Sequence, residues 1–217
     1  MTIEESLRSV LPLSYSRLFI AYSGGLDSTV LLHATARVRL ELDGEIHAIH
    51  ADHGLQADSR TWSEHCEQQC AALDIQLHKV HLELQIPAGE SLEAVAREAR
   101  YQAFAKILGP GDALLTAHHA DDQVETVLLQ LFRGAGVAGL AGMPRVKSWH
   151  RGWLLRPLLP FSRQQLEHYA DEYSLRWMED TSNLDVRFSR NQLRRRVVPE
   201  LKARWPALLP PGIRLRR

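Results

Sequence analysis

Leu18-Phe-Ile-Ala-Tyr-Ser-Gly-Gly-Leu-Asp-Ser-Thr-Val-Leu-Leu-His33 decides the fold, because an apolar run stops at two glycines and a helical apolar pattern begins directly after them. It reads as strand, phosphate-binding turn and helix. Gly24 and Gly25 allow positive φ and a close approach of ligand to backbone, so that Ser23, Asp27, Ser28 and the N–H groups of the helix start converge on one anion. The natural anion is a polyphosphate. On spacing alone an ordinary strand-to-helix turn explains the glycine pair equally well. A Walker loop would carry Lys after its last glycine, and here Leu26 and Asp27 stand in that region.

Outward from this stretch the chain alternates strand and helix. The first strand is expected at about 17–22 and its helix at about 27–38, followed by a strand from Glu45 to Asp52 that ends in the polar cluster His50, Asp52 and His53. Trp62, Cys66, Gln69, Cys70 and Leu73 repeat at helical spacing, and Ile75 to Leu82 reads as a third strand. A helix from about Ser91 to Leu108 ends at Gly109-Pro110-Gly111, and a strand from Asp112 to Ala117 runs into His118, His119 and a helix that reaches Phe132. Trp153 to Leu158 is a last strand, Ser162 and Gln165 form a capping box for a helix to about Tyr173, and Arg187 to Leu201 reads as one basic helix. This order argues an α/β fold with a doubly wound parallel sheet and a small basic helical C-terminal extension. We expect one catalytic domain over residues 1–205 and a loosely held tail over 206–217, where three prolines lack a partner element. The polar clusters at Ser23, His50 and His118 all sit at strand carboxyl ends, where ligands of such sheets bind.

Composition narrows the function class. No apolar run of the 217 residues approaches the roughly 20 that a membrane helix needs, and Glu4 and Glu5 stand where a signal peptide would be basic, so a cytoplasmic protein with no membrane partner is expected. Net charge is zero, yet residues 1–125 hold nine Lys/Arg against nineteen Asp/Glu, while residues 126–217 hold seventeen against seven. From Thr126 to Leu166 there is no acid, and Arg133, Arg145, Lys147, Arg151, Arg156 and Arg163 are present. Such a stretch favours a polyanionic partner. Gly134-Ala-Gly136-Val-Ala-Gly139 matches a dinucleotide fingerprint but follows a helix, and no acid comes about twenty residues later to hold a ribose.

Ser23-Gly24-Gly25-Leu26-Asp27-Ser28 resembles the SGGxDS loop of the PP-loop ATP pyrophosphatases, which cleave ATP between its α and β phosphates and pass AMP to a substrate oxygen. The motifs His50-Ala-Asp52-His53-Gly54-Leu55, Glu93 to Tyr101 with Arg97 and Arg100, Ala117 to Thr126, Arg133-Gly134, and Glu179 to Asn183 followed by Arg190, Asn191 and Arg194 together resemble the bacterial tRNA(Ile)-lysidine synthetase family. The resemblance runs from about residue 17 to 205 and implies an adenine nucleotide alpha hydrolase-like fold of the PP-loop type. It implies ATP and Mg²⁺ as cofactors, an isoleucine tRNA with a CAU anticodon and free L-lysine as partners, and ligation of lysine to C2 of the wobble cytidine. It leaves the oligomeric state open, a homodimer being one option. Family members of the long form continue into further tRNA-binding domains.

The residues suit that chemistry in their own right. Ser23, Gly24, Gly25, Leu26, Asp27 and Ser28 form the cradle, with His50 and Asp52 beside the nucleotide; Asp27 is a candidate Mg²⁺ contact, and Arg97 or Arg100 a cation for the α-phosphate. His118, Asp122 and Glu125 recur at i, i+4 and i+7, where two carboxylates can hold lysine amines and His118 can assist proton transfer. Asp121, Arg100, Arg133, Gly134, Arg190, Asn191 and Arg194 are assigned to substrate binding, the basic half contacting RNA. The bland alternatives are helix N-capping for Asp121 and Asp122, a capping-box partner for Glu125, and a solvated face for Arg97 and Arg100. A tRNA thiolase shares the loop but needs reactive cysteines, and a metal-dependent hydrolase would use His50, Asp52, His53, His118, His119 and Asp122 while leaving the glycine loop unexplained.

Overall fold

The computed structural model describes residues 1–52, 59–82, 84, 87, 92–179 and 189–205, leaving aside the side chains of residues 59, 93, 189 and 190. In chain order the elements are α1 (Ile3–Val10), β1 (Arg17–Ala21), α2 (Leu26–Arg37), β2 (Glu45–Asp52), α3 (Ser59–Ala72), β3 (Gln76–His81), α4 (Leu92–Ile107), β4 (Ala113–Leu115), α5 (Ala120–Phe132), β5 (Val146–Trp149), β6 (Gly152–Leu155), α6 (Arg163–Glu172), α7 (Ser189–Gln192), a π-helical turn Leu193–Val197, and α8 (Val198–Arg204). No helix of the described residues is long and apolar enough to cross a membrane.

The six strands lie in the order β3-β2-β1-β4-β6-β5. All pairings are parallel except β5 with β6, and Ile20 of β1 pairs with Ala48 of β2 and Leu115 of β4. Because the chain steps from β1 to β2 and β3 on one side and returns to β4 on the other, β1 and β4 flank the point where strand order reverses. In sheets of this kind the crevice that receives ligands lies outside the strand carboxyl ends at that point. The loops leaving those ends are Tyr22–Gly25 and Thr116–His119, so topology alone sets the two richest motifs side by side.

Alternation along the strands splits the core in two. Leu18, Ile20, Tyr22, Ala48 and Leu115 pack with α1, α2, α3 and α6, while Phe19, Ile49, Leu114 and Leu154 pack with Phe104 of α4. β1, with three fully buried residues, reads as an unbroken apolar run for this reason.

Three features depart from the expected elements. α1 carries the signal that foretells it, a Thr2/Glu5 capping box with Ile3, Leu7 and Val10 buried at i, i+4 and i+7, yet the sequence reading passed over it. β5 gave no such signal: Val146, Lys147 and Ser148 are exposed, and the strand forms only by antiparallel pairing with β6. The single basic helix expected from Arg187 to Leu201 is interrupted within the described residues, where the Val198 N–H bonds to the Leu193 carbonyl five residues back. The proposed tail at 206–217 lies outside the described residues.

Gly152 opens β6 where β4 passes closest. A Cβ there would stand 2.0 Å from the Asp112 carbonyl oxygen, which accepts the Trp153 N–H at 3.0 Å. Gly152→Ala is expected to lower unfolding free energy by about 1–3 kcal/mol or more in a denaturant titration; an unchanged midpoint would contradict this strand packing.

Candidate functional site

The turn after β1 is built from backbone conformation and hydroxyls. Gly24 has φ +81°, and a Cβ on it would meet Trp62 Nε1 at 2.7 Å and Cys66 Sγ at 2.9 Å. Its carbonyl accepts the Met178 N–H at 2.9 Å, and the Trp62 indole donates to the Ser23 carbonyl. Gly25, expected to share the positive φ, instead is the extended N-cap of α2 at φ −81°, with Ser23 Oγ 3.7 Å from where a Cβ would stand. No side chain caps α2, so its first N–H groups are left facing the turn. Ser28 Oγ bonds to the Gly25 carbonyl at 3.0 Å and lies 3.0 Å from Ser23 Oγ, which lines the turn with two hydroxyls.

Behind the turn, His50 Nδ1 donates to the Tyr22 carbonyl at 3.0 Å and lies 3.5 Å from Cys66 Sγ. Burial depresses the His50 pKa, so its ring is a neutral prop for the turn at physiological pH. Asp52 ends β2 with His81 Nδ1 3.7 Å from its carboxylate.

The turn after β4 is organised by His119. It is the N-cap of α5: Nδ1 accepts the Asp121 N–H at 3.3 Å while Asp122 Oδ2 accepts the His119 N–H at 3.0 Å. Its Nε2 lies 3.5 Å from Asp122 Oδ2 and 3.7 Å from Asp27 Oδ2, so one imidazole joins the two loops that flank the crevice. His118 sits beside it, with Nδ1 2.9 Å from Thr116 Oγ1.

Four carboxylates meet here, and three cations from the basic half of the chain meet them. Arg163 Nη1 donates to both oxygens of Asp27 at 2.9 Å, and the Arg163 backbone N–H donates to Asp121 Oδ2 at 2.8 Å. Lys202 donates to Asp121 Oδ1. Arg194 donates from Nε to Glu125 Oε1 at 2.6 Å and from Nη2 to Glu125 Oε2 at 3.1 Å and Asp122 Oδ1 at 2.9 Å. Four negative charges against three fixed positive ones leave one unmatched, and His119 supplies the balance: burial opposes its charge, but Asp122 foremost, with Asp121 and Asp27, raises its pKa above the ordinary value. Once protonated, Nδ1 becomes a donor toward Asp121 Oδ2, 3.5 Å away. Burial pushes the Asp27 carboxyl upward, whereas at Asp121 burial is outweighed by hydrogen bonds from His119, Lys202 and Arg163, and its pKa is depressed.

The structure brings Ser23, Gly24, Gly25, Asp27, Ser28, Asp121, Asp122 and Glu125 to the crevice, whereas Leu26 is buried in the core beneath the turn. Other assignments are not gathered there. Arg97 and Arg100 lie on α4, against the opposite face of the sheet from α2, where the Arg97 guanidinium rests 5.0 Å over the Tyr101 ring. Arg133 and Gly134 are exposed at the far end of α5, about 20 Å from its first turn at 1.5 Å per residue. Arg194, assigned to RNA, is bound to the carboxylates assigned to lysine. Asn191 lies on α7; the Arg190 side chain, His53, Gly54, Leu55, Asp180, Ser182 and Asn183 fall outside the described residues. The open basic surface expected of the C-terminal half is partly internal, since Arg145 binds Ser6 and Ser9 of α1, and Arg156 is buried with Nη1 on the Pro144 carbonyl.

Sequence reasoning missed Arg163 and Lys202 as site residues and gave His119 only a metal-ligand role. The signal for His119 was its spacing to Asp122, a capping box read from the acid side alone. Among the described residues no group of three or more His, Cys, Asp or Glu is arranged to hold a metal ion. Cys66 and Cys70 are buried thiols pushed up to about 12 by desolvation.

Residues 1–201 match the family described as PP-loop domain. The chain is 50% identical over 189 residues to a tRNA(Ile)-lysidine synthase of Pseudomonas putida, covering 87% of this chain and 44% of that protein. It is 52% identical over 187 residues to one of Alkalilimnicola ehrlichii, with 86% and 42% covered. The chain thus spans less than half the length of these relatives. In fold it is similar to a U34-tRNA thiolase of Methanococcus maripaludis, with a TM-score of 0.77 at 15% identity, covering 95% of this chain and 74% of that one.

Two outcomes test this geometry. Gly24→Ala is strained by its φ and by Trp62 and should cost about 1–3 kcal/mol of stability, whereas Gly25→Ala has room and should cost within about 1 kcal/mol; equal losses in urea titrations would contradict the turn. Because the folded pKa of His119 is raised, its stabilising charge is fully present below the ordinary value of 6.5 and is lost as pH rises through the folded value. Unfolding free energy of the wild type should therefore decline from about pH 6.5 upward, and His119→Asn, which keeps a capping side chain, should lack that decline. The same decline in both proteins would remove His119 from the hub.

Proposed function

The chain belongs to the PP-loop domain family, and from that membership we propose that it binds ATP at Ser23–Ser28 and uses it to ligate L-lysine to C2 of the wobble cytidine of an isoleucine tRNA with a CAU anticodon, releasing AMP and pyrophosphate. The observation that carries the reading is the pairing of the hydroxyl-lined glycine turn with a carboxylate pair on α5 across one crevice. The first suits a polyphosphate and the second an amine. The names of the relatives supply the substrate class.

Each residue has a defined task in this scheme. The N–H groups at the start of α2, with the Ser23 and Ser28 hydroxyls, bind phosphate oxygens and orient the α-phosphate toward the base. Asp27 is the carboxylate that would contact Mg²⁺, and the ion, when bound, would supply positive charge to offset that of pyrophosphate. Arg163, now bound to Asp27, lies where it can follow the phosphates. Asp122 and Glu125 hold the lysine amine, and His118 accepts a proton as the amine displaces AMP. RNA contact falls to the exposed basic residues, Arg133 among them. A thiolase reading is disfavoured by the two buried, high-pKa thiols, which are poor sulfur carriers.

The test is incubation with ATP, labelled lysine and an isoleucine tRNA transcript. AMP, pyrophosphate and lysine-labelled tRNA are the expected products; ADP and phosphate would contradict the proposal. Asp122→Asn or Glu125→Gln should raise the lysine KM by one to two orders of magnitude, the equivalent of about 1.5–3 kcal/mol for a charge-assisted contact, with ATP binding little changed. Wild-type lysine dependence in both variants would reduce these carboxylates to helix caps.

A further inference from the structure

Glu125 is 1% exposed and Asp122 14%, so the pair cannot stand as two bare charges; desolvation without a partner would be costly. Arg194 is a cation bound to both. Its three bonds use the Nε hydrogen and both hydrogens of Nη2, and they place a guanidinium against both carboxylates, the groups an incoming ammonium would also seek. Yet Arg194 is not locked in a core: its side chain is 41% exposed, and it projects from the π-helical turn Leu193–Val197. The turn is anchored at its flanks by buried Leu193 and Val198, while Arg194, Arg195 and Arg196 between them are exposed. A π turn inside an α-helix is rare and is found often at functional sites. What it secures here is the aim of Arg194 at the two carboxylates.

We propose that Arg194 is a resident counter-ion for the Asp122–Glu125 pair which free lysine displaces, so that occupation of the amine site releases the Leu193–Val197 turn. The inference rests on the reading that these carboxylates receive lysine. It makes Arg194 a specificity-determining residue: a ligand must carry a cation able to outcompete a tethered guanidinium, and a neutral amino acid of the same length leaves the turn closed. The exchange conserves charge in the pocket at every stage, one cation entering as one leaves.

Amide hydrogen exchange of the wild-type protein, with ATP present, is the direct measurement. Added lysine should speed exchange over residues 189–204, whereas norleucine, which lacks the ε-amine, should not. A variant gives the second arm. Arg194→Met keeps the aliphatic stem and removes the competitor, so it should be less stable alone but gain a larger thermal shift from lysine, with lysine binding tightened about tenfold and ATP binding unchanged. Arg194→Lys should restore competition and return lysine affinity toward wild type. Weaker lysine binding in Arg194→Met, or slower exchange over 189–204 on adding lysine, would overturn the proposal and make Arg194 part of the lysine site. If Glu125→Gln also leaves lysine binding intact, the fault lies with the assignment of the carboxylates themselves.

Discussion

Neutralisation of the acidic edge is the constraint on which the rest of this structure depends. Asp27, Asp121, Asp122 and Glu125 gather where β1 and β4 end, and unpaired carboxylates at that depth would each carry a desolvation penalty of several kcal/mol. The partners come from more than thirty residues further along the chain: Arg163 at the start of α6, Arg194 on the π turn and Lys202 on α8. The opposed charges of the two halves of the sequence are thus largely an internal matter. The acidic half builds the sheet edge, and the basic half folds back to close it.

Topology explains why the acids are there at all. A parallel sheet whose strand order reverses at β1 and β4 opens a crevice at that point, and the chain leaves both strands through polar turns. His119 then ties the turns together from a nearly fully buried position. An imidazole serves this place better than a permanent cation, because when neutral it caps α5 by accepting the Asp121 N–H at Nδ1, and when protonated both nitrogens face carboxylates, Nδ1 that of Asp121 and Nε2 those of Asp27 and Asp122. The same arrangement explains the fit to nucleotide chemistry. Arg163 on Asp27 puts a cation beside the glycine turn, where a polyphosphate would need one.

Much of this was legible in the sequence, for identifiable reasons. The strand-turn-helix at residues 18–33, the parallel sheet and the Ser162 capping box are encoded locally, by periodicity and by short-range hydrogen bonds. Local patterns do not encode ion pairs between distant segments. Arg163 and Lys202 read as members of a basic stretch, and nothing near them in sequence names Asp27 or Asp121 as the partner. Arg194 reads as an RNA contact for the same reason. Gly25 was credited with a left-handed conformation that only Gly24 needs, since the pair is symmetric in sequence and not in structure. β5 carries no periodic signal because Val146, Lys147 and Ser148 are exposed and only Trp149 packs inward, so the strand depends on its pairing with β6.

The claim that the two halves of the chain form one electrostatic unit is tested most directly by a double-mutant cycle between Glu125 and Arg194. Unfolding free energies of the wild type, Glu125→Gln, Arg194→Met and the double variant, taken without ligands, give the coupling alone. The account predicts a favourable coupling above about 1 kcal/mol, with the double variant more stable than the sum of the single losses implies. Additive losses, with coupling indistinguishable from zero, would contradict it.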